Sequence, residues 1–331
     1  MRRSIGLFAV ALGLLAATAL PSGAQTKIAV SYFPGPGTGP VFAGIENGTF
    51  AKEGVSVDPE STNGSVAQIT AMLDDKYQVA FGGLDDVIGY DAGQGEVPVK
   101  VKPDLFAFMG TDSGSLHLVT APDVKRVEDL KGRTVAVDAK LTGFAFVLYR
   151  IAALHGLKAG DYNVLSVGSS QKRFEALSSG AAQGAVMFKP VADLLVAKGF
   201  NDLMPTSQVF PHYQAAVVLA RRSWAVPHRA TLIGFIRAYL QSMRWFTAPA
   251  NKEAAIRLLL KFTPNLSRPG AEASYRTTIA MIGPTGPIGA IDPAGVATAV
   301  KLREIYGEPK KKLGDPRQFY DLSYYRAALR H

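Results

Sequence analysis

The chain contains no cysteine. That excludes disulfides, thiolate zinc sites, iron–sulfur clusters, cysteine nucleophiles and a lipid-modified N-terminal cysteine. Histidine is scarce as well: the five residues His117, His155, His212, His228 and His331 form no His-x-x-x-His or His-Glu-x-x-His pair, so a helical zinc site is unsupported. No Gly-x-Ser-x-Gly elbow is present. Beyond the first twenty residues no apolar run is long enough to cross a bilayer. The best candidate, Leu232–Phe246, is interrupted by Arg237 and Arg244. Arginine is missing altogether from residues 25–115, which hold 5 Lys against 12 acids.

What is present fits a globular α/β chain. The 331 residues are 47% hydrophobic and 19% charged, a balance that excludes disorder, collagen and coiled coil as the main state. The formal charge is +9, but it is spread along the chain. The one basic run, Lys310-Lys311-Lys312, lies among Gly, Pro and Asp and reads as a solvated segment rather than a nucleic-acid contact.

The N-terminus has the layout of an export signal. Arg2-Arg3 is a positive start, Ile5–Leu20 is apolar and uncharged, and Ser22-Gly23-Ala24 is a small-x-small cleavage site. Residues 1–24 are expected to be removed, leaving a chain that begins at Gln25 and works outside the cytoplasm.

Strand and helix signals then alternate. Lys27–Tyr32 reads as a strand that runs into the turn Pro34-Gly35-Pro36-Gly37-Thr38-Gly39-Pro40. That turn has neither the Gly-x-Gly-x-x-Gly spacing of a dinucleotide site nor the lysine of a phosphate-binding loop. Asn63-Gly64-Ser65 starts a helix whose apolar positions Val66, Ile69, Met72 and Leu73 follow a 3.6-residue period. Further strands are expected at Val79–Phe81, Leu105–Met109, Leu116–Thr120, Thr134–Val137, Val164–Val167 and Ala185–Phe188. From His228 onward the signals are almost wholly helical, over about 229–246, 252–261, 272–282, 293–306 and 322–329. Short connections between alternating elements imply mostly parallel sheets covered by helices. Six strand-to-helix turns are small, polar or aromatic, and ligands of open α/β sheets lie at such turns.

Several stretches resemble one family of solute-binding proteins of ABC importers. They are Ile45-Glu46-Asn47-Gly48-Thr49-Phe50-Ala51-Lys52-Glu53-Gly54-Val55, Val79-Ala80-Phe81-Gly82 with Asp85, Val127–Val137, and Ala176-Leu177-Ser178-Ser179-Gly180 with Ala185-Val186. In the last of these Gly184 stands where the family usually has Asp. The group resembled is the nitrate/sulfonate/taurine and thiamine-pyrimidine-precursor group of periplasmic proteins, and the resemblance covers essentially all of the chain after residue 24.

The resemblance implies a two-lobed type II periplasmic binding protein. It has a cleft between two mostly parallel sheets and a helical C-terminal part. Lobe one would be 25–115 plus 213–331 and lobe two 116–212, with crossings near 112–117 and 210–213. A small solute would be captured by lobe closure and handed to a membrane permease with its ATPase. The protein would act as a monomer, without cofactor, metal, nucleic-acid partner or enzymatic turnover. Carried onto this chain, the ligand contacts would be Tyr32, Phe33, Thr38, Gly64, Ser65, Asp85, Thr142, Gly143, Phe144, Phe188 and Lys189. The aromatic members could hold a flat or apolar body, the hydroxyls and backbone N–H groups could hold oxygens, and Lys189 could meet an anionic end. Asp85 could accept from a ligand amine or ring N–H, or Asp85 or Asp86 could simply cap the helix.

The scarcity of arginine bears on the ligand. Only Arg173 falls in the matched turns of lobe two. A bare, fully charged anion is usually gripped by arginine forks. The sequence therefore favours a small organic ligand with one anionic or polar end, such as a sulfonate, an aromatic carboxylate or a pyrimidine-like heterocycle, over nitrate or sulfate. A lyase-type enzyme on the same scaffold, or a ligand sensor for a membrane receptor, are the alternatives.

Overall fold

A computed structural model of the chain describes residues 25–33, 37–111, 116–263, 266–282 and 288–330. The export segment 1–24, part of the glycine-rich turn and most of the first expected crossing lie outside the described residues.

Among the described residues ten strands form two five-stranded sheets. The strands are β1 (Thr26–Tyr32), β2 (Val55–Ser61), β3 (Val79–Gly83), β4 (Leu105–Gly110), β5 (Leu116–Thr120), β6 (Thr134–Val137), β7 (Asn163–Ser166), β8 (Gly184–Phe188), β9 (Asn201–Pro205) and β10 (Ala216–Arg221). The first sheet has the order β2-β1-β3-β10-β4 and the second β7-β6-β8-β5-β9. The two orders match position for position. In each, three parallel strands come from successive β–helix units, and the fourth strand is the one that brings the chain across from the other body.

Those fourth strands, β10 and β5, run antiparallel to both neighbours. Half of the ladders in each sheet are therefore antiparallel, and the sheets are mixed rather than mostly parallel. The reason lies in the crossings. A strand arriving from the other body joins the sheet from the opposite end to strands fed by covering helices. Two strands were not anticipated from the sequence. β9 is a half-exposed edge strand of mixed polarity, and β10 is a short apolar run that periodicity alone does not assign.

Helices cover both sheets. The 19-residue helix Arg229–Thr247 lies over the first sheet, burying Leu232, Phe235, Ile236 and Tyr239 against Ile28, Val30, Phe106 and Val218. In the second body Leu177 and Leu195 close over Val119, Ala136 and Met187. A third cluster belongs to both bodies. Helix Pro293–Tyr306 packs on helix Leu84–Asp91 of the first and on helix Gly143–Leu154 of the second, so Val296 and Leu302 share a core with Leu84, Ile88, Phe146 and Leu148. The β4 edge is covered by the C-terminal segment: Asp321 donates its N–H to the Ala107 carbonyl at 2.9 Å. Among the described residues no helix is long and apolar enough to cross a membrane.

Candidate functional site

A cleft of about 720 Å³ lies between the two sheets. Its floor is made where parallel strands end and helices begin: Phe33 after β1, Gly82 and Gly83 at the end of β3, Asp138 after β6, Ser169 and Ser170 after β7, and Phe188 at the end of β8. Residues at helix N-termini present backbone N–H groups that the helix itself does not use, together with the positive end of its dipole. Five helices begin at the cleft wall among the described residues, at Thr38, Gly83, Thr142, Ser169 and Phe188, and Ser169 caps its helix with its side chain.

Of the eleven residues expected at the ligand, seven line this cleft: Phe33, Thr38, Asp85, Thr142, Gly143, Phe144 and Phe188. Phe144 and Phe188 meet edge to face at 5.3 Å and form one aromatic corner. Gly143 is a point of close approach, since a Cβ there would sit 2.5 Å from the Tyr213 hydroxyl and 2.7 Å from the Asp85 Cβ.

The other four lie elsewhere. Tyr32 turns its ring onto Phe42, 5.6 Å away and nearly perpendicular, as part of the first-body core. Gly64 and Ser65 start helix Ser65–Leu73 beside a contact between the bodies, where the Ser169 N–H donates to the Asn63 carbonyl at 3.0 Å. Lys189 is half-exposed and spends its charge on Asp193, one helical turn away at 2.5 Å.

Asp85 faces the cleft with its carboxylate already engaged. Arg303 Nε donates to Asp85 Oδ1 at 3.0 Å, and Arg303 Nη2 contacts both the other carboxylate oxygen and the Asp85 carbonyl. Burial raises the Asp85 pKa and the Arg303 charge opposes this. The helix-capping role belongs to Asp86, whose carboxyl reaches back to the Gly83 N–H. Burial pushes the Asp86 carboxyl well above the usual range, and the Asp138 and Asp85 charges push it the same way.

Sequence reasoning gave Arg173 no role at the site, and the structure places it on the cleft wall. Its side chain is buried, 2% exposed. Nη1 donates to the Gly168 carbonyl at 3.1 Å and Nη2 to Ser170 Oγ at 2.9 Å, while Nε has no acceptor. The guanidinium lies 5.2 Å from the Phe144 ring centre. Burial brings its pKa down to about 10, against the pull of Asp138.

A third wall was also unforeseen. Leu259, Thr263 and Leu266, with Gly270, Ala273, Ser274 and Thr277 of helix Arg268–Ile282, close one side of the cleft. The signal existed in the sequence as small residues at i, i+3, i+4 and i+7, the spacing of one helix face. Among the described residues, no group of three His, Asp or Glu side chains could hold a metal ion.

Two sheets facing each other across a cleft built from strand ends and helix N-termini define the fold of periplasmic solute-binding proteins. Residues 22–260 match the NMT1-like family, and the chain belongs to that family. No functionally curated protein matches the sequence. Solved structures share its fold. A Bordetella bronchiseptica RB50 protein is 20% identical, with 92% of this chain and 97% of that one covered at a TM-score of 0.75. The periplasmic nitrate-binding protein NrtA of Synechocystis PCC 6803 is 12% identical, with coverages of 92% and 88% and a TM-score of 0.72. The alkanesulfonate-binding protein SsuA of Xanthomonas axonopodis, bound to MOPS, is 13% identical, with coverages of 92% and 98% and a TM-score of 0.65. The fold also serves an enzyme, the desulfurization enzyme DszB, at 12% identity and a TM-score of 0.61.

Proposed function

We propose that this protein is the periplasmic solute-binding component of an ABC importer. In this reading it captures a small organic solute between two lobes, 25–115 with 213–331 and 116–212, and presents the closed form to a membrane permease and its ATPase. Export through the segment 1–24 and action as a monomer belong to the same reading. The observation that carries it is the cleft itself: about 720 Å³, lined from both bodies by strand ends and helix N-termini. That is the size and position of a small-molecule site in open α/β sheets. The relatives that bind nitrate and alkanesulfonate share the fold. Sulfonates, aromatic carboxylates and pyrimidine-like heterocycles are the candidate classes, and the cleft residues named above are the proposed contacts, with Asp85 acting through its helix rather than by direct acceptance. Closure requires that the ligand bind the closed form better than the open one.

The test is thermal unfolding of protein from Gln25, first unfolded and refolded to strip carried-over solute, against a panel of sulfonates, nitrate, carboxylates and pyrimidines. Ligand at ~100 times its dissociation constant adds roughly 2.7 kcal/mol, which raises Tm by about 2–4 °C per kcal/mol in a chain of this size class. A shift without consumption of the compound supports a binding protein. Steady consumption would instead point to an enzyme on this fold.

A further inference from the structure

We propose that the turn of residues 138–142, although part of the second body, is held by the first, and that Glu96 and Arg303 are the positioning residues that hold it. The cleft then opens only at its opposite rim, between Asn63 and Ser169. This goes beyond the solute-binding reading. It says which part of the site stands ready before a solute arrives, and it is tested without one.

The turn leads from β6 into helix Gly143–Leu154 and so sets where Thr142 and Gly143 stand on the cleft wall. Within its own body the Thr142 hydroxyl donates to the Ala139 carbonyl at 2.9 Å and the Tyr149 hydroxyl to the Lys140 carbonyl at 3.2 Å. Three further backbone groups are taken by the first body. Glu96 Oε1 accepts the Lys140 N–H at 3.3 Å and Oε2 the Leu141 N–H at 2.6 Å. Arg303 Nη2 donates to the Leu141 carbonyl at 2.8 Å. All three bonds have a charged partner, which makes them stronger than bonds between neutral groups.

Arg303 is itself fixed. It is 1% exposed, and Nε donates to Asp85 Oδ1 at 3.0 Å and Nη1 to the Gln94 carbonyl at 2.9 Å, both in the first body. Its guanidinium lies 4.6 Å from the Phe146 ring centre, and the Tyr306 ring stacks on the same phenyl group at 5.8 Å. Helix Pro293–Tyr306 thus grips the start of helix Gly143–Leu154 as well as Asp85. At its other end the helix is tied to the second crossing. There the Asp292 N–H donates to Gln214 Oε1 at 2.9 Å, and His212 Nδ1 lies 2.9 Å from an Asp292 carboxylate oxygen. Parting the bodies along this seam would expose the shared core of Leu84, Ile88, Phe146, Leu148, Val296 and Leu302.

The opposite rim is built differently. The Ser169 N–H meets the carbonyl of exposed Asn63, a neutral pair whose loss to water has little net cost. Rotation about the seam breaks this bond and keeps the shared core. The helix N-termini at Gly83 and Thr142 then stand side by side in the open form, and closure adds Ser169 and Arg173.

The experiment is spin-label distance measurement on refolded, solute-free protein. The chain has no cysteine, so labels go only where cysteines are introduced. Ala67→Cys with Ser178→Cys spans the rim, and Lys100→Cys with Lys140→Cys spans the seam; all four positions are exposed. The rim pair should give a distance distribution about twice as wide as the seam pair or wider, as expected when opening turns about the seam. Glu96→Ala should widen the seam pair to the width of the rim pair. Glu96→Gln keeps an acceptor for the Leu141 N–H and should leave the seam pair narrow. A loss of stability alone would not widen the distribution of the folded protein. Equal widths in the parent protein, or a seam pair that ignores Glu96→Ala, overturns the proposal. Either result leaves the solute-binding reading standing, since a thermal shift by an unconsumed solute supports that reading whether or not the seam is fixed.

Discussion

Asp85 and Asp86 are neighbouring buried carboxyls with different partners. Arg303, 1% exposed, grips Asp85 and also donates to the Gln94 carbonyl at 2.9 Å and to the Leu141 carbonyl at 2.8 Å. Asp85 thus keeps a counter-charge in the core at contact distance, whereas for Asp86 burial and the Asp138 and Asp85 charges outweigh the pull of Arg303 and the Gly83 N–H. The consequence for stability has a definite sign. A carboxyl whose folded pKa is raised contributes stability that is intact below the ordinary carboxylate range and is lost as pH climbs through the raised value. Asp86→Asn keeps an acceptor for Gly83 and removes the titration. The variant should melt several degrees above the parent at pH 8 and level with it at pH 4. Equal melting temperatures at pH 8 would show that Asp86 is not held up in the folded chain. Neither role was legible in the sequence. Arg303 is 218 residues from Asp85, and nothing local in helix Pro293–Tyr306 marks its arginine as buried. Arg173 was at least visible as the lone arginine of its turn; its burial and its idle Nε were not.

The elements were far easier to read. The helices after residue 228 fall within a few residues of expectation because their apolar positions follow the helical period, and the inner parallel strands β1, β3, β6 and β8 stand out as short apolar runs. β9 and β10 escaped because a strand that completes a sheet built elsewhere owes its identity to its neighbours rather than to its own pattern. The seam between helices is equally invisible from sequence, and it is sensitive. Gly89 lies inside helix Leu84–Asp91, where alanine would ordinarily help by about 1 kcal/mol. Its Cβ would meet the Arg303 guanidinium at 2.7 Å, and that guanidinium is fixed by partners on every side. Overpacking of a fixed neighbour costs about 1–3 kcal/mol, so the clash outweighs the propensity. Gly89→Ala should lower the denaturant midpoint at unchanged slope. A rise in the midpoint would mean that Arg303 moves freely.

At the scale of the molecule, the two bodies are joined by few direct polar contacts near the cleft. Glu96 of the first body accepts from the Leu141 N–H at 2.6 Å and the Lys140 N–H at 3.3 Å, both at the approach to helix Gly143–Leu154. Arg303 reaches the Leu141 carbonyl of the same turn. Across the cleft the Ser169 N–H meets the Asn63 carbonyl at 3.0 Å. The general plan of two facing bodies could be drawn from the order of strands and helices. These joints could not, because each pairs a loop of one body with a loop of the other and depends on how far the bodies have come together.

That last hydrogen bond makes the molecule its own gauge. Ser169 both caps a cleft helix and donates its backbone N–H to the opposite body. If opening the cleft breaks it, the deuterium uptake of that single amide counts openings, while amides in β1 and β8 count global unfolding. Saturating ligand should slow exchange at Ser169 by about tenfold or more and leave the strand amides little changed, as expected when binding draws the population toward the closed form. Uptake at Ser169 that ignores ligand would mean that the bodies stay joined whether the cleft is full or empty.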